Sequence, residues 1–585
     1  MKRRNSGNNG YIGVDQTVIP TTGRLTPNKL YNIEVREQAV YQSGNSATFI
    51  GEPNSILYQR PIEWPSLPSV TAGSQQICGL FAVYDNETNV CCLQIQGAYQ
   101  VNWGDGTSNT YASNAIALKR YDQESYAGLT SSVFRNYKTA LITITPQTGQ
   151  NFTSINFSAS VPNSGAAGPL SGISSYAAIS TNNWLDIRMA GPSITTLTVS
   201  RWAGNSISSA LLEQFEFVGS AQLTSFAFID SKSLRRIVSF PSTANIQDWQ
   251  SMFYGCRSLQ EIPRSALDGL VNGRVNRAPY TFYYCSSLQS LPVDAIDFRN
   301  IITDSSGCDG FFQNCSSLRR APKILNGGSC RYYGNIFAGC AALEEAPEID
   351  TSSNTSFTQM FNGCNSLRKV QSAFAGSSGT AFNLMFAFCY NLTSLPTMNT
   401  RLGTTFQDFA RDCHRLEYIP QYDFTSATTI LRMFYGGGFQ TGLKYIPDFL
   451  NSGNSLTNMN SAFFGCQSLI QAPGITTSNV TDITSLFQGC NSLKIIPNYN
   501  LSKATSTTTP FSTTGSFISV GLTGISFSVN FSNNVLGPTA LNNIYTSLAT
   551  VGASGSGART LTVSGNWGFT ASNRSIAQAK GWSVV

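Results

Sequence analysis

Charge is scarce in this chain. Asp, Glu, Lys and Arg make up 12% of its 585 residues, against roughly 25% in ordinary soluble domains. Ser, Thr, Asn and Gly stand in their place. Such a surface is neutral and hydrogen-bonding and offers little for ionic catalysis. It suits an exposed structural or adhesive protein. The net charge of +6 is modest, and apart from Lys2-Arg3-Arg4 the basic residues are scattered, so no nucleic-acid footprint is expected. His414 is the single histidine, which rules out a two-histidine metal site within one chain. No run of 18 apolar residues is present, so no helical membrane span is expected. Met1 to Gly13 is polar and Gly/Asn-rich without an apolar core, so it does not read as a secretory signal. No Gly-x-x-x-x-Gly-Lys-(Ser/Thr) loop occurs, and Gly555-Ser556-Gly557 lacks the strand and helix such a loop needs.

What the chain has instead is repetition. Phe253-Tyr254-Gly255-Cys256-Arg257-Ser258-Leu259-Gln260-Glu261-Ile262-Pro263 returns as Phe312-Gln313-Asn314-Cys315-Ser316-Ser317-Leu318-Arg319-Arg320-Ala321-Pro322. Ten copies follow Phe-x-x-Cys-x-x-Leu-x-x-(Ile/Leu/Ala/Val)-Pro, with cysteines at Cys256, Cys285, Cys315, Cys340, Cys364, Cys389, Cys413, Cys466 and Cys490. One degenerate copy, Met433 to Pro447, has a glycine run where Cys belongs. The basic step is 24 or 25 residues; the first two steps stretch to 29 and 30, and those flanking the degenerate copy are 27 and 26. A fixed period of this size means a solenoid whose repeats bury their faces only against neighbours.

The leucines Leu259, Leu288, Leu318, Leu343, Leu367, Leu392, Leu416, Leu443, Leu469 and Leu493 form one interior column. The apolar residues three places later form a second and the phenylalanines a third, with Phe409 one place early in copy seven. Pro ends nine of the ten copies, Gln371 being the exception, and marks the end of a short strand because it has no N–H to give. Ser-Leu-x-x-Ile is therefore expected to be one short strand per repeat, paired in parallel with its neighbours, and Met-Phe-x-x-Cys a short helical turn. On the outward column, Arg319, Glu344 and Arg368 alternate in sign, a favourable ladder. Nine of the 14 cysteines lie in one repeat column and read as small buried apolar side chains. Cys78, Cys91, Cys92, Cys308 and Cys330 stand outside it, and a disulfide among them is left open.

The repeat resembles the leucine-rich repeats of the BspA-like class, with their Ala-Phe-x-x-Cys-x-x-Leu-x-x-Ile signature, strongly over 250–500. Upstream, Ser233-Leu234-Arg235-Arg236-Ile237 and Leu223 look like degenerate copies. Such repeats serve adhesins, receptors and virion parts alike. Residues 61–180 carry strand-like runs at Gly79-Leu80-Phe81-Ala82-Val83-Tyr84, Cys92-Leu93-Gln94-Ile95 and Ala140-Leu141-Ile142-Thr143-Ile144-Thr145. Between them, Val101-Asn102-Trp103-Gly104-Asp105-Gly106-Thr107 resembles the Trp-Gly-Asp-Gly hallmark of PKD-type Ig-like domains, and Tyr137-Lys138-Thr139-Ala140-Leu141 sits where their Tyr-x-Val-x-Leu strand would, departing at Thr139. Asp105 reads as the head of an Asx turn, with calcium, bound by some members of that family, as the rival role.

The expected architecture is mainly β with short helices. An extended docking arm (1–60) leads to a PKD/Ig-like β-sandwich (61–180), a leucine-rich-repeat solenoid (181–500) and a solenoid cap (501–585). In the cap, Gly537-Pro538 opens a helix with Leu541, Ile544, Tyr545 and Leu548 on one face. Leu561-Thr562-Val563 is a strand, Ile576 to Lys580 a short helix and Trp582 to Val585 a last strand. This ending resembles the tail often found on BspA-like repeats encoded by tailed phages.

Cys413-His414 suggests a thiol–imidazole dyad, but His414 occupies a variable repeat slot and reads as surface. Glu344, Glu345 and Glu348 suggest a carboxylate pair, but ladder pairing explains them more simply. No catalytic, cofactor or metal residues are assigned. The insertions at 264–281, 293–311 and 435–442 map to loops, and Arg264, Arg274, Arg277 and Tyr280 are the candidate recognition residues. The expected function is that of a non-enzymatic virion structural protein of a tailed bacteriophage. Its expected place is as a tail-fibre or receptor-binding part on the particle surface, made in the host cytoplasm. The arm would dock on other virion proteins, and the solenoid would grip host surface glycan or protein. A capsid or tail decoration protein and a bacterial adhesin are the alternatives. Neither a nucleic-acid partner nor membrane insertion is expected, and the sequence leaves monomer and homo-oligomer open.

Overall fold

A computed structural model describes residues 58–585 apart from 85–88, 124–129, 133–136, 163–177, 181–182, 201–210, 302–306, 328–329, 371–377, 438–441, 451–454, 506, 513 and 552–558. The strands expected at 33–36 and 48–50, and all but the last three residues of the docking arm, lie outside the described residues. What is described is mainly β with a few short helices.

The first strands are β1 (Gln76–Tyr84), β2 (Val90–Gln96), β3 (Tyr99–Asn102), β4 (Ser108–Tyr111), β5 (Ile116–Arg120), β6 (Thr130–Ser132), β7 (Tyr137–Pro146) and β8 (Ser154–Asn156). There follow β9 (Ser160–Pro162), β10 (Ala178–Ser180), β11 (Trp184–Ala190), β12 (Thr196–Ser200), β13 (Gln214–Phe217), β14 (Ser225–Phe228) and β15 (Arg236–Ile237). One sheet runs β15-β13-β11-β1-β7-β3-β4 with β6 beside β7; a second runs β14-β12-β8-β2-β5, and β9 pairs with β10. Among the described residues neither large sheet closes on itself.

Both large sheets change character partway. Strand β11 pairs antiparallel with β1 on one edge and parallel with β13 on the other. Strand β8 does the same between β2 and β12. The sheets thus pass without interruption from antiparallel pairing into the parallel pairing of the repeats. Their common core is aromatic. The Trp184 indole meets Phe81 of β1 and Phe157, the residue that follows β8, edge-on, each at 5.6 Å, so one side chain reaches from the first sheet to the end of a strand of the second. Gly79 makes room for it, since a Cβ there would overlap the ring.

From β15 on, rungs stack. Parallel bridges link Arg236 to Glu261, Glu345 to Lys369, Ser394 to Tyr418, and Tyr445 through Gln471 to Ile495. A second file runs Tyr332, Ser356, Ala381, Thr405, Thr429, Asn458, Asp482. Among the described residues of the repeats, only β16 (Ala295–Asp297) and β17 (Lys323–Leu325) are longer than single bridges until β18 (Ile495–Asn500). The expected strand per repeat is thus mostly reduced to one bridge. The proline that follows the apolar residue in nine of the ten copies removes the next donor, and the chain turns before a second bridge can form.

The phenylalanines stack nearly face to face. Phe253–Phe282 centroids lie 5.2 Å apart at 3°, Phe337–Phe361 5.7 Å at 8° and Phe361–Phe386 5.7 Å at 5°. The series breaks at copy seven, where Phe409 meets Phe386 edge-on at 81° and Ala410 takes the repeat position. Next to it the degenerate copy leaves a void of about 10 Å³ lined by Ala410, Cys413, Leu416, Phe434, Leu443 and Cys466. The missing cysteine and the displaced phenylalanine together account for that packing fault.

The cysteine column is more than apolar filler. Each Sγ–H donates to the carbonyl of the phenylalanine one rung earlier: Cys256 to Phe228 at 3.0 Å, Cys364 to Phe337 at 3.2 Å, Cys490 to Phe463 at 3.0 Å, and likewise in every copy that has the cysteine. Towards the ends of the stack other residues take this position. Ser231 holds it upstream, and Asn566 downstream donates to Phe531 O at 2.8 Å.

The expected helical turn before each cysteine is replaced by a different one. The residue two places before the phenylalanine lies in the left-handed region: Ser251 (φ 57°), Tyr280 (56°), Gly310 (58°), Asn335 (56°), Gln359 (58°), Leu384 (57°). This aims alternate N–H groups at the following rung instead of back along the chain. Ser251, Phe253 and Gly255 donate to Pro279, Thr281 and Tyr283 at 3.0, 2.9 and 2.7 Å. The anticipated charge ladder is also corrected: no ion pair joins Arg319, Glu344 and Arg368, whereas Lys323 pairs with Glu348 at 2.9 Å and Arg236 with Glu261 at 3.0 Å.

The stack ends in β19 (Ser519–Thr523) beside β18, then the parallel sheet β20 (Val529–Asn530), β21 (Arg559–Thr562), β22 (Trp582–Val584). Of the helices, α1 (Asp268–Val271) lies in the first insertion behind a 3-10 turn Arg264–Leu267. The others, α2 (Pro538–Ser547) and α3 (Ser575–Gln578), belong to the ending. Pro538 starts α2 and Leu541, Ile544 and Tyr545 are its buried face.

Candidate functional site: a tyrosine-lined cleft

The left-handed turns stack on one face, and the residue after each phenylalanine forms a surface file there. In the first two copies it is Tyr254 and Tyr283, whose rings stack at 4.9 Å and 12°. Tyr284 meets Tyr283 edge-on at 4.5 Å, Tyr280 meets it edge-on at 5.7 Å, and the Arg257 guanidinium lies 5.5 Å over the Tyr284 ring. Beside these rings opens a cleft of about 790 Å³. Its apolar floor is Phe226, Ile229 and Met252; Asp248, Gln250 and Gln313 add polar groups.

Tyr280 is fixed from both ends. Its backbone is left-handed and its hydroxyl donates to Asp309 Oδ2 at 2.8 Å. Burial first, then the Asp309 bond and charge, push its phenol up to about 12. Burial, then Asp230 and Tyr284, raises Tyr254, and burial with Tyr284 and Tyr254 raises Tyr283. All three stay neutral hydrogen-bonding groups at physiological pH. Asp248 Oδ1 accepts the Gln250 N–H at 2.9 Å, and the side-chain amides of Gln250 and Gln313 have no partner among the described residues.

Of the four residues singled out in the sequence, Tyr280 alone lines the cleft. Arg277 bridges by its backbone to Asp248, and its Nε is buried without a hydrogen-bond partner. Arg264 pairs with Asp268 at 2.6 Å, and Arg274 is exposed beyond α1. The insertion therefore does not gather these arginines into one site. Tyr254 and Tyr283 escaped attention because they occupy a slot that varies between copies. The doubled aromatics Phe253-Tyr254 and Phe282-Tyr283-Tyr284 were the available signal.

The same file carries Arg411, Tyr435 and Phe464 further along. Arg411 lies 5.1 Å over Tyr435 and 5.4 Å over Phe388, and Tyr435 stacks on Phe464 at 4.7 Å. Arg432 grips Asp408 with two bonds of 2.8 Å. His414 stacks on Tyr390 at 5.0 Å. Cys413 is no partner for it: its thiol donates to Phe386 O at 3.1 Å, and burial pushes it up to about 12.

Cys308 and Cys330 form a disulfide, which closes the question left open in the sequence; Cys78, Cys91 and Cys92 are buried and in no disulfide. Asp105 heads an Asx turn, accepting Thr107 N–H at 3.0 Å, and pairs with Lys119 at 2.6 Å. Burial pulls its carboxyl upward, but the bonds from Lys119 and Thr107 outweigh that and leave it below the usual range. Trp103 is buried, its Nε1 donating to Asn109 Oδ1 at 2.9 Å. Among the described residues no group of three His, Cys, Asp or Glu is placed to hold a metal ion, and no helix is long and apolar enough to cross a membrane.

Residues 331–449 and 400–523 match the family described as "Mycoplasma protein of unknown function, DUF285". The similarity thus falls on the repeats from Cys340 to Cys490. No curated protein matches the chain. Among solved structures, one titled "Crystal structure of TLR13-ssRNA13 complex" is similar at 13% identity with a TM-score of 0.19. The match covers 64% of this chain and 65% of that one, just under two thirds of its length.

Proposed function

We propose that this chain is a non-enzymatic recognition protein on the surface of a tailed-phage virion, in the position of a tail fibre or receptor-binding part. In this reading the stack is a BspA-like leucine-rich solenoid. The two sheets before it derive from a PKD-type Ig-like sandwich and serve as its N-terminal cap and spacer. The arm before residue 58 docks on other virion proteins. The observation that carries the reading is the turn face. A stack held by buried phenylalanine, leucine and cysteine columns frees one file of side chains from structural duty, and that file is aromatic beside an open cleft. The charge-poor surface agrees with an exposed adhesive role. So does the Cys308–Cys330 disulfide, which persists in an oxidising exterior.

Gold-labelling of purified particles with an antibody against residues 180–585 tests this. Label on the tail or its fibres is the expected result. Label on the capsid would replace it with a decoration role. Label on bacterial cells, with none on particles, would replace it with an adhesin.

A further inference from the structure

We infer that the cleft beside Tyr254, Tyr280 and Tyr283 is a binding site for a neutral pyranose glycan. This rests on the recognition role proposed above and names its ligand class. The volume of about 790 Å³ lies within the range of small-ligand sites, roughly 300–1,000 Å³. Its lining is amphipathic in the way a sugar is. The floor of Phe226, Ile229 and Met252 and the tyrosine rings offer apolar surface to the C–H face of a pyranose. Asp248, Gln250, Ser251 and Gln313 offer donors and acceptors for its hydroxyls, and the Gln250 and Gln313 amides have no hydrogen-bond partner among the described residues.

Charge narrows the ligand further. Among the described residues Asp248 is the single ionisable carboxyl in the lining, and none of them that lines the cleft is a lysine or arginine. The nearby Arg257 is turned over Tyr284. A sialylated, uronic or phosphorylated sugar would meet a carboxylate and no cation, so an uncharged one is favoured. The site is also rigid before binding. The Tyr254–Tyr283 stack and the Tyr280–Asp309 bond hold the rings in place, which lowers the ordering cost of binding.

The test applies the full-length protein to an array of neutral and acidic oligosaccharides of three or more pyranose units. Hits are followed by calorimetry, with binding to host cells measured in parallel. Two variants are compared with the parent. Tyr283→Ala removes the central ring; the double variant Gln250→Ala with Gln313→Ala removes one exposed and one half-buried amide, neither bonded among the described residues, so its fold is little at risk. The expected result is binding to neutral members only, weakened at least tenfold by Tyr283→Ala and several-fold by the double variant. Binding to no neutral glycan overturns the inference, as does binding that both variants leave unchanged or a preference for acidic sugars. If parent and variants bind host cells equally well, the cleft is not the site while the recognition role stands. If the parent binds neither cells nor glycans, both readings fall.

Discussion

The two large sheets and the rungs that follow them bury similar side chains but hold them differently. In the sheets, β1 pairs with β7 over Ile77–Tyr84 and with β11 over Gln76–Phe81, so most of its residues are fixed by partners about 60 and 110 positions away. In the rungs, pairing shrinks to single bridges, and what aligns one rung on the next is a set of columns: a phenylalanine stack, a cysteine S–H bond and a file of left-handed turns. A fold built on long ladders gains and loses order as a block. A fold built on nearest-neighbour columns tolerates a local fault, as the void at copy seven and the degenerate copy shows.

The sharpest way to break this contrast is to truncate one large side chain in each region. Trp184→Ala removes the indole that joins both sheets and is expected to cost about 3–5 kcal/mol in urea unfolding, with loss of order throughout β1, β7 and β11. Leu392→Ala, in mid-stack, is expected to cost about 2–5 kcal/mol but to disturb chiefly the rungs that touch it. Equal spread of damage from both variants would erase the distinction.

Smaller changes sharpen it. Cys364→Ala removes the S–H bond to Phe337 O and some packing, and is expected to cost about 1–2 kcal/mol. Cys364→Ser keeps a donor at that position and should lie closer to the parent protein. Thermal melts in which Ser is the worse of the two would mean that the column is apolar filler after all. In the sheets, the Asp105 carboxyl titrates below its unfolded value of about 3.9. Its stabilising contribution is therefore complete above that pH and lost as pH falls through the lower folded value. Lys119→Met should flatten the acid limb of the stability profile below about pH 4 and leave neutral stability less affected. An unchanged limb would remove the pair from the account. The mildest effect expected is a gain. Leu384 sits at φ 57°, a conformation that glycine adopts without a Cβ penalty, so Leu384→Gly should be neutral or stabilising by up to about 1 kcal/mol. A clear loss in the melt would show that the leucine side chain contributes more than its backbone costs.

These comparisons also explain what was legible in the sequence. Leu259, Cys256 and Ile262 recur because interior columns demand one size at one position, so period and burial were readable together. The ending was readable for a related reason: Pro538 followed by Leu541, Ile544 and Tyr545 states a helix start and its inner face locally. The left-handed position was hidden, because Ser251, Tyr280, Gln359 and Leu384 share a backbone conformation and no chemistry. The S–H bond was hidden because a thiol that donates and a thiol that fills space look alike in a column. The switch at β8 and β11 was hidden because a strand's two partners lie far off in sequence. The cleft was half visible: Tyr280 stood out for lying in an insertion, while Tyr254 and Tyr283 sat in a slot whose other occupants, Gln313, Ala338 and Asn362, suggested nothing.

The most direct test of the central claim, that the rungs are held by their neighbours and the sheets as a block, is native-state hydrogen exchange on the intact chain carrying Phe361→Ala. The account predicts faster exchange in the rungs between Phe337 and Phe386 and parental protection in β1 and β7. Uniform loss of protection from β1 to β18 would contradict it.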